Sequence, residues 1–190
     1  MKRIYLVIAV LPALMLGLAI SASAQMALDL DTGPGDQGVR EAMAKIGDTV
    51  TVQLVTTGGV RNLVGVEVEV RFDNSQVAFK SFNAMGLLQG AMPLPRQIPG
   101  GVNIAVAIMG RTASSRSSAT LGELKFQVLN LGQGVTIQLV KGSFGTKSGT
   151  TEFPLSGGVK LMDEAAAKGA LGKQGGKQGG KQGGKQGGKQ

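Results

Sequence analysis

The side chains that could do acid–base or ligand chemistry here are carboxylates, lysines and arginines, because the 190 residues contain no His and no Cys. That absence removes Ser-His-Asp and Cys-His catalysis, imidazole zinc sites and thiolate metal sites. Two groups of acids remain. Glu67 and Glu69 stand two apart and are followed by Arg71 at the same interval. In an extended chain this spacing puts all three on one face at steps of about 6.6–6.8 Å, a charged row that could hold a partner through charge-assisted hydrogen bonds. It is equally the pattern of the wet side of a half-buried strand. Asp29, Asp31 and Asp36 surround a bend containing Gly33, Pro34 and Gly35. Three carboxylates on a Gly-rich bend are the ingredients of an oxygen-ligand Ca2+ site, although the EF-hand spacing is not met. The competing reading is an acidic turn after the first strand. Ca2+ at these three residues is the only cofactor the sequence suggests. Glycoside hydrolysis needs paired carboxylates across a cleft, and acids on strand faces and turns give no such pair, so a non-enzyme is expected.

The elements that must position these groups are strands. From residue 47 onward apolar side chains recur at every second position, the strand period. Val50, Val52 and Leu54 alternate with Thr49, Thr51 and Gln53. Val64, Val66, Val68, Val70 and Phe72 alternate with Gly65, Glu67, Glu69 and Arg71. Further strands are expected at 77–82, 102–109, 121–128 and 135–144, separated by turn sequences such as Asp73-Asn74-Ser75, Pro99-Gly100-Gly101 and Leu131-Gly132-Gln133-Gly134. Short, one-sided strands without an amphipathic helix predict an all-β, antiparallel sandwich of two sheets. Lys125 and Gln127, on the polar side of the strand at 121–128, are expected to join the Glu67–Arg71 face. Residues 110–120, rich in Ser and Thr, read as a polar surface loop between core strands.

Charge and aromatic content narrow the partners. The formal charge is +8, but 2 of the 20 basic residues, Lys2 and Arg3, lie at the N-terminus and Lys168, Lys173, Lys177, Lys181, Lys185 and Lys189 lie near the C-terminus. Residues 25–167 carry as many acids as bases, so no specific nucleic-acid surface is expected of the fold. The only Tyr is Tyr5 and Trp is absent. Sugar rings usually stack on exposed Trp or Tyr, which makes polysaccharide the weaker partner class. Phe72, Phe79, Phe126 and Phe144 fall at core positions.

The two ends differ in kind from the middle. Lys2-Arg3, an apolar run from Ile4 to Ile20 and the small-residue segment Ser21-Ala22-Ser23-Ala24 form a secretory signal, with cleavage expected after Ala24. An uncleaved membrane anchor is the alternative, the run approaching the roughly 20 residues needed to span a bilayer. Either places the protein in the periplasm, at the cell surface or outside the cell. From Lys173 the unit Lys-Gln-Gly-Gly repeats to the end. It has no apolar side chain and is expected to be disordered, with a reach of about 25 Å, and its regularly spaced ammonium groups could contact anionic surface polymers. The expected organisation is a signal at 1–24, a sandwich domain at 25–162, and a linker and tail at 163–190.

Four segments in order carry a family resemblance: Ile46-Gly47-Asp48-Thr49-Val50-Thr51-Val52, Gly65-Val66-Glu67-Val68-Glu69-Val70-Arg71-Phe72-Asp73, Leu121-Gly122-Glu123-Leu124-Lys125-Phe126 and Gly157-Gly158-Val159. Together they resemble the cohesin domain, the module that receives dockerins in cellulosome-type assemblies. The resemblance spans residues 28–162. It implies a jelly-roll (Ig-like) β-sandwich of about nine strands, related to some carbohydrate-binding modules, that works as a non-catalytic receptor through a flat sheet face. The partner it implies is a protein, a dockerin-like module or another extracellular domain. The family commonly places an Asn and an Asp, two apart, on the strand before the Phe/Tyr-Asp turn. The matching positions are Gly65 and Glu67, so the acid is approximated and the amide is missing.

Overall fold

A computed structural model describes residues 24–163; the expected signal sequence, except its last residue Ala24, and the Lys-Gln-Gly-Gly tail lie outside the described residues. Twelve strands follow in order: β1 Met26–Asp29, β2 Glu41–Ala44, β3 Thr49–Thr56, β4 Val60–Arg71, β5 Val77–Ala84, β6 Met92–Ile98, β7 Gly101–Ala107, β8 Ala113–Ser115, β9 Ala119–Val128, β10 Val135–Thr146, β11 Gly149–Glu152 and β12 Gly158–Asp163. A single 3-10 turn, Gly86–Leu88, is the only helical element among the described residues. The chain is an all-β sandwich of two sheets. One runs β1-β3-β9-β5. The other runs β2-β12-β10-β4-β7-β6, with β11 on β10 and β8 on β4.

The alternation read from sequence determines which side chains face inward. Val66, Val68 and Val70 of β4, Val102, Ile104 and Val106 of β7, Val52 and Leu54 of β3, and Leu124, Phe126 and Val128 of β9 belong to one continuous buried cluster between the sheets. Phe126 sits within it edge-on to both Phe72 (5.1 Å) and Phe79 (5.8 Å). Such T-shaped contacts place ring edges against ring faces and add to the burial of large apolar area.

Two expectations need correction. The 110–120 segment is not simply a solvated loop, since Ala113–Ser115 forms β8 on β4 and Ala113 and Thr120 are buried. The pairing is also not wholly antiparallel, because β12 pairs with β2 in parallel. β2 and β12 lie at opposite ends of the described chain and no hairpin joins them, so nothing requires the two to run in opposite directions.

Candidate docking face

The outer face of the larger sheet is assembled from β10, β4, β7 and β6. Paired residues share a face, so outward positions line up in rows across the strands. Met92, Ala107, Gly65 and Gly145 form one row. Leu94, Ala105, Glu67 and Ser143 form the next, and Arg96, Asn103, Glu69 and Lys141 the third. The face is therefore graded along the strands. One end is apolar and small, with Met92 and Leu94 each 60% exposed beside two alanines and two glycines; the other end is charged.

Glu67 accepts a hydrogen bond from Asn103 Nδ2 (3.1 Å) and lies 3.9 Å from Lys141 Nζ. Glu69 Oε1 accepts from Arg71 Nε at 2.6 Å, while Arg71 Nη1 donates to the Pro99 carbonyl at 2.6 Å. These pairs are solvent-facing and each contributes at most about 1 kcal/mol to stability. Their geometric effect is larger: each acid is held over the sheet in a defined direction, with further lone pairs free for a partner.

The sequence placed Gly65, Glu67, Glu69 and Arg71 on one face, and they are on one face. Gly65 offers no side chain there, and a Cβ would come within 2.7 Å of the Val106 carbonyl oxygen. That approach explains the missing amide at 65. An amide nevertheless stands beside the acid, supplied by Asn103 from the neighbouring strand. Lys125 and Gln127 do not join this face. They lie on β9, in the other sheet, and point outward on the opposite side of the sandwich. Period-two alternation tells which residues of a strand are outward, but not in which sheet the strand lies.

Met92, Leu94, Asn103 and Lys141 were not singled out from sequence. Asn103 and Lys141 lie inside β7 and β10, strands whose pattern draws attention to their apolar side. Met92, Leu94 and Arg96 do alternate, but Pro93 and Pro95 stand between them and disguise the strand. Proline, lacking an N–H, is tolerated at a sheet edge, and β6 is the terminal strand of its sheet.

The three acids suggested for Ca2+ have another occupation. Asp29 is fully buried; its Oδ1 accepts the N–H groups of Asp31 (2.9 Å) and Val39 (3.2 Å), and its Oδ2 those of Gln37 (2.6 Å) and Gly38 (2.9 Å). Burial raises its pKa, but the N–H groups of Asp31, Gln37 and Gly38 together outweigh burial and hold the carboxyl below its ordinary range. Asp36 pairs with Arg40 (2.7 Å), which also approaches Asp29 (3.4 Å). Asp31 accepts from Gly33 N–H (2.6 Å). These contacts fold the 30–39 loop over the outer side of the smaller sheet, where Gln53 Nε2 donates to the Thr32 carbonyl and the Thr120 hydroxyl accepts from Gly35 N–H. Among the described residues no group of three potential ligands is arranged around a metal position. The Ca2+ expectation is replaced by an internal role for Asp29.

No family model and no curated protein sequence matches the chain. Solved structures do. A cohesin module of the family 33 glycoside hydrolase of Clostridium perfringens ATCC13124 superposes with a TM-score of 0.59 at 16% identity, covering 75% of this chain and 98% of that one. The fold is that of cohesin modules. A non-cellulosomal cohesin from the hyperthermophilic archaeon Archaeoglobus fulgidus matches with a TM-score of 0.56 at 11% identity, covering 78% and 98%. The sixth cohesin of scaffoldin B from Acetivibrio cellulolyticus, solved in complex with a Cel5 dockerin variant, matches with a TM-score of 0.56 at 13% identity, covering 75% and 99%. The cohesin-like sandwich of this chain thus shares nearly the whole length of these modules while sharing few of their residues.

Proposed function

We propose that this chain is a non-catalytic receptor module that holds a protein partner, dockerin-like or another extracellular domain, on the β10–β4–β7–β6 face. The observation that carries this reading is the grading of that face. An apolar strip at Met92 and Leu94 can be desolvated by a partner, and a fixed charged row at Glu67, Glu69, Arg71 and Lys141 can set the partner's orientation. Interfaces gain most of their affinity from a few desolvated apolar anchors, while charges around them govern specificity and encounter rate. The acids on this face are engaged by Asn103, Lys141 and Arg71 on an open sheet, an arrangement suited to docking and not to bond cleavage. The complex of a similarly folded module with a dockerin supports a protein as the partner class. The N-terminal signal pattern supports placement outside the cytoplasm, at the surface or beyond it.

The test is affinity capture from the surface and culture-medium fractions of the native cells, comparing wild type with Leu94→Asp and Met92→Asp. A polypeptide retained by wild type and weakened at least about tenfold by either substitution, as for an interface anchor, is the expected result. Retention of the same material by all three proteins would remove this face from the function.

A further inference from the structure

A second site lies at the end of the sheet where β4 begins. There Val60 pairs with Ser115 and Leu63 with Ala113, so the two residues Arg61 and Asn62 bulge out between them. Asn62 has φ 54° and is the only non-glycine with positive φ among the described residues. Asn tolerates this left-handed conformation better than most residues. β10 shifts register at the same level, between Gly145 and Thr146. Bulges re-aim side chains and gather near working sites. Here they open a cavity of about 470 Å3 lined by Arg61, Asn62, Thr112, Thr146, Lys147 and Ser148.

The chemistry of that lining is one-sided. It holds two cations, one amide and three hydroxyls, with no carboxylate and no aromatic ring. Arg61 and Lys147 have no ion-pair partner among the described residues. The Asn62 N–H is taken by Ser114 Oγ (3.0 Å), which pins the bulge and leaves the amide side chain without a partner among the described residues. The Thr146 and Ser148 hydroxyls lie 2.9 Å apart. Unpaired cations concentrate an anion, and an amide with clustered hydroxyls matches a polyhydroxyl body. The volume lies in the range of small-ligand sites.

We infer that this cavity binds an acidic saccharide, one carrying a carboxylate or sulfate group, with Arg61 and Lys147 holding the anionic group and Asn62, Thr112 and Ser148 the ring hydroxyls. The site is separate from the proposed protein-docking row at Glu67–Arg71 and does not depend on it. It also reconciles a sandwich poor in aromatic residues with sugar recognition, since a charged sugar can be held by guanidinium and ammonium donors without ring stacking.

Isothermal titration of the full chain with digalacturonate, with a sulfated disaccharide and with neutral digalactoside tests this. The expected result is saturable, salt-sensitive binding of at least one acidic disaccharide and at least about tenfold weaker binding of the neutral one. Arg61→Ala and Lys147→Ala should each weaken the acidic ligand about tenfold, the equivalent of one charge-assisted hydrogen bond, with unchanged far-UV circular dichroism. The basic tail is the same in every variant, so binding that survives the double substitution would assign the effect to the tail and overturn the inference. So would failure of both acidic sugars to bind, or equal binding of the neutral one. Leu94→Asp should leave this titration unchanged, which keeps the outcome distinct from the fate of the docking reading.

Discussion

Asp29 is the residue whose role changes most between pattern and structure. As part of an acidic bend it reads as a metal ligand. In the fold it is a buried anion surrounded by four backbone N–H groups and Arg40. Asp29→Asn keeps the shape but turns an N–H2 toward donors, leaving buried N–H groups unpaired. It should cost about 1–3 kcal/mol in urea unfolding, while a chelator leaves the melting temperature of the wild type unchanged. A drop in melting temperature with chelator would restore the metal reading. Because the folded carboxyl titrates below its ordinary range, the folded chain binds its proton less readily than the unfolded one. Its stabilising contribution is therefore complete above the ordinary carboxylate pKa near about 4 and is lost as pH falls through the lower folded value. Asp29→Asn should flatten that acid limb of the stability curve. At the docking face, Gly65→Asn supplies the amide the family pattern carries but drives a side chain toward the Val106 carbonyl oxygen. It should destabilise by about 1–3 kcal/mol, as overpacking does, with no gain in partner retention. Improved retention without a stability loss would contradict the close approach. Glu67, Glu69 and Arg71 were legible because a charge on every second residue of an apolar strand can only face out. Asn103 was not, because its partnership with Glu67 is a cross-strand contact that no single-strand pattern contains.

At the scale of elements, legibility followed strand length and apolar content. β3, β4, β5, β7, β9 and β10 were visible from alternation, and β4 and β10 are each longer than the pattern suggested. β2, β8 and β11, at 4, 3 and 4 residues, are too short to show a period, and β6 is interrupted by its prolines. The assignment of Lys125 and Gln127 failed for a related reason, since sheet membership is decided by long-range pairing. β6 illustrates what such hidden elements do. It is an edge strand, and edges recruit other strands unless something blunts them. Pro93 and Pro95 remove two N–H groups from the chain at this edge. Replacing both with Thr should keep the fold and create concentration-dependent self-association, measured by sedimentation velocity. Strictly monomeric behaviour of the double variant would show that the prolines do not protect the edge.

For the whole molecule, the question is whether the two sheets are stable separately. The buried cluster runs without interruption from β1 and β3 through β9 to β4, β7 and β10, and nearly every pairing joins segments far apart in sequence. Neither sheet can cover its apolar face without the other, so unfolding should be a single cooperative transition. Phe126 couples them directly, lying in the smaller sheet and packing edge-on against Phe72, which directly follows β4 of the larger one. Phe126→Ala should cost about 3–5 kcal/mol through lost contact and a residual cavity while preserving one transition in urea. Phe153, only half-buried beside Phe144, should cost less than half as much when truncated in the same way. With Trp absent and Tyr5 the sole tyrosine, far-UV circular dichroism is the measurement to use. Two separated transitions in Phe126→Ala would mean that each sheet keeps its own core, and the docking face would then have to be understood from the larger sheet alone.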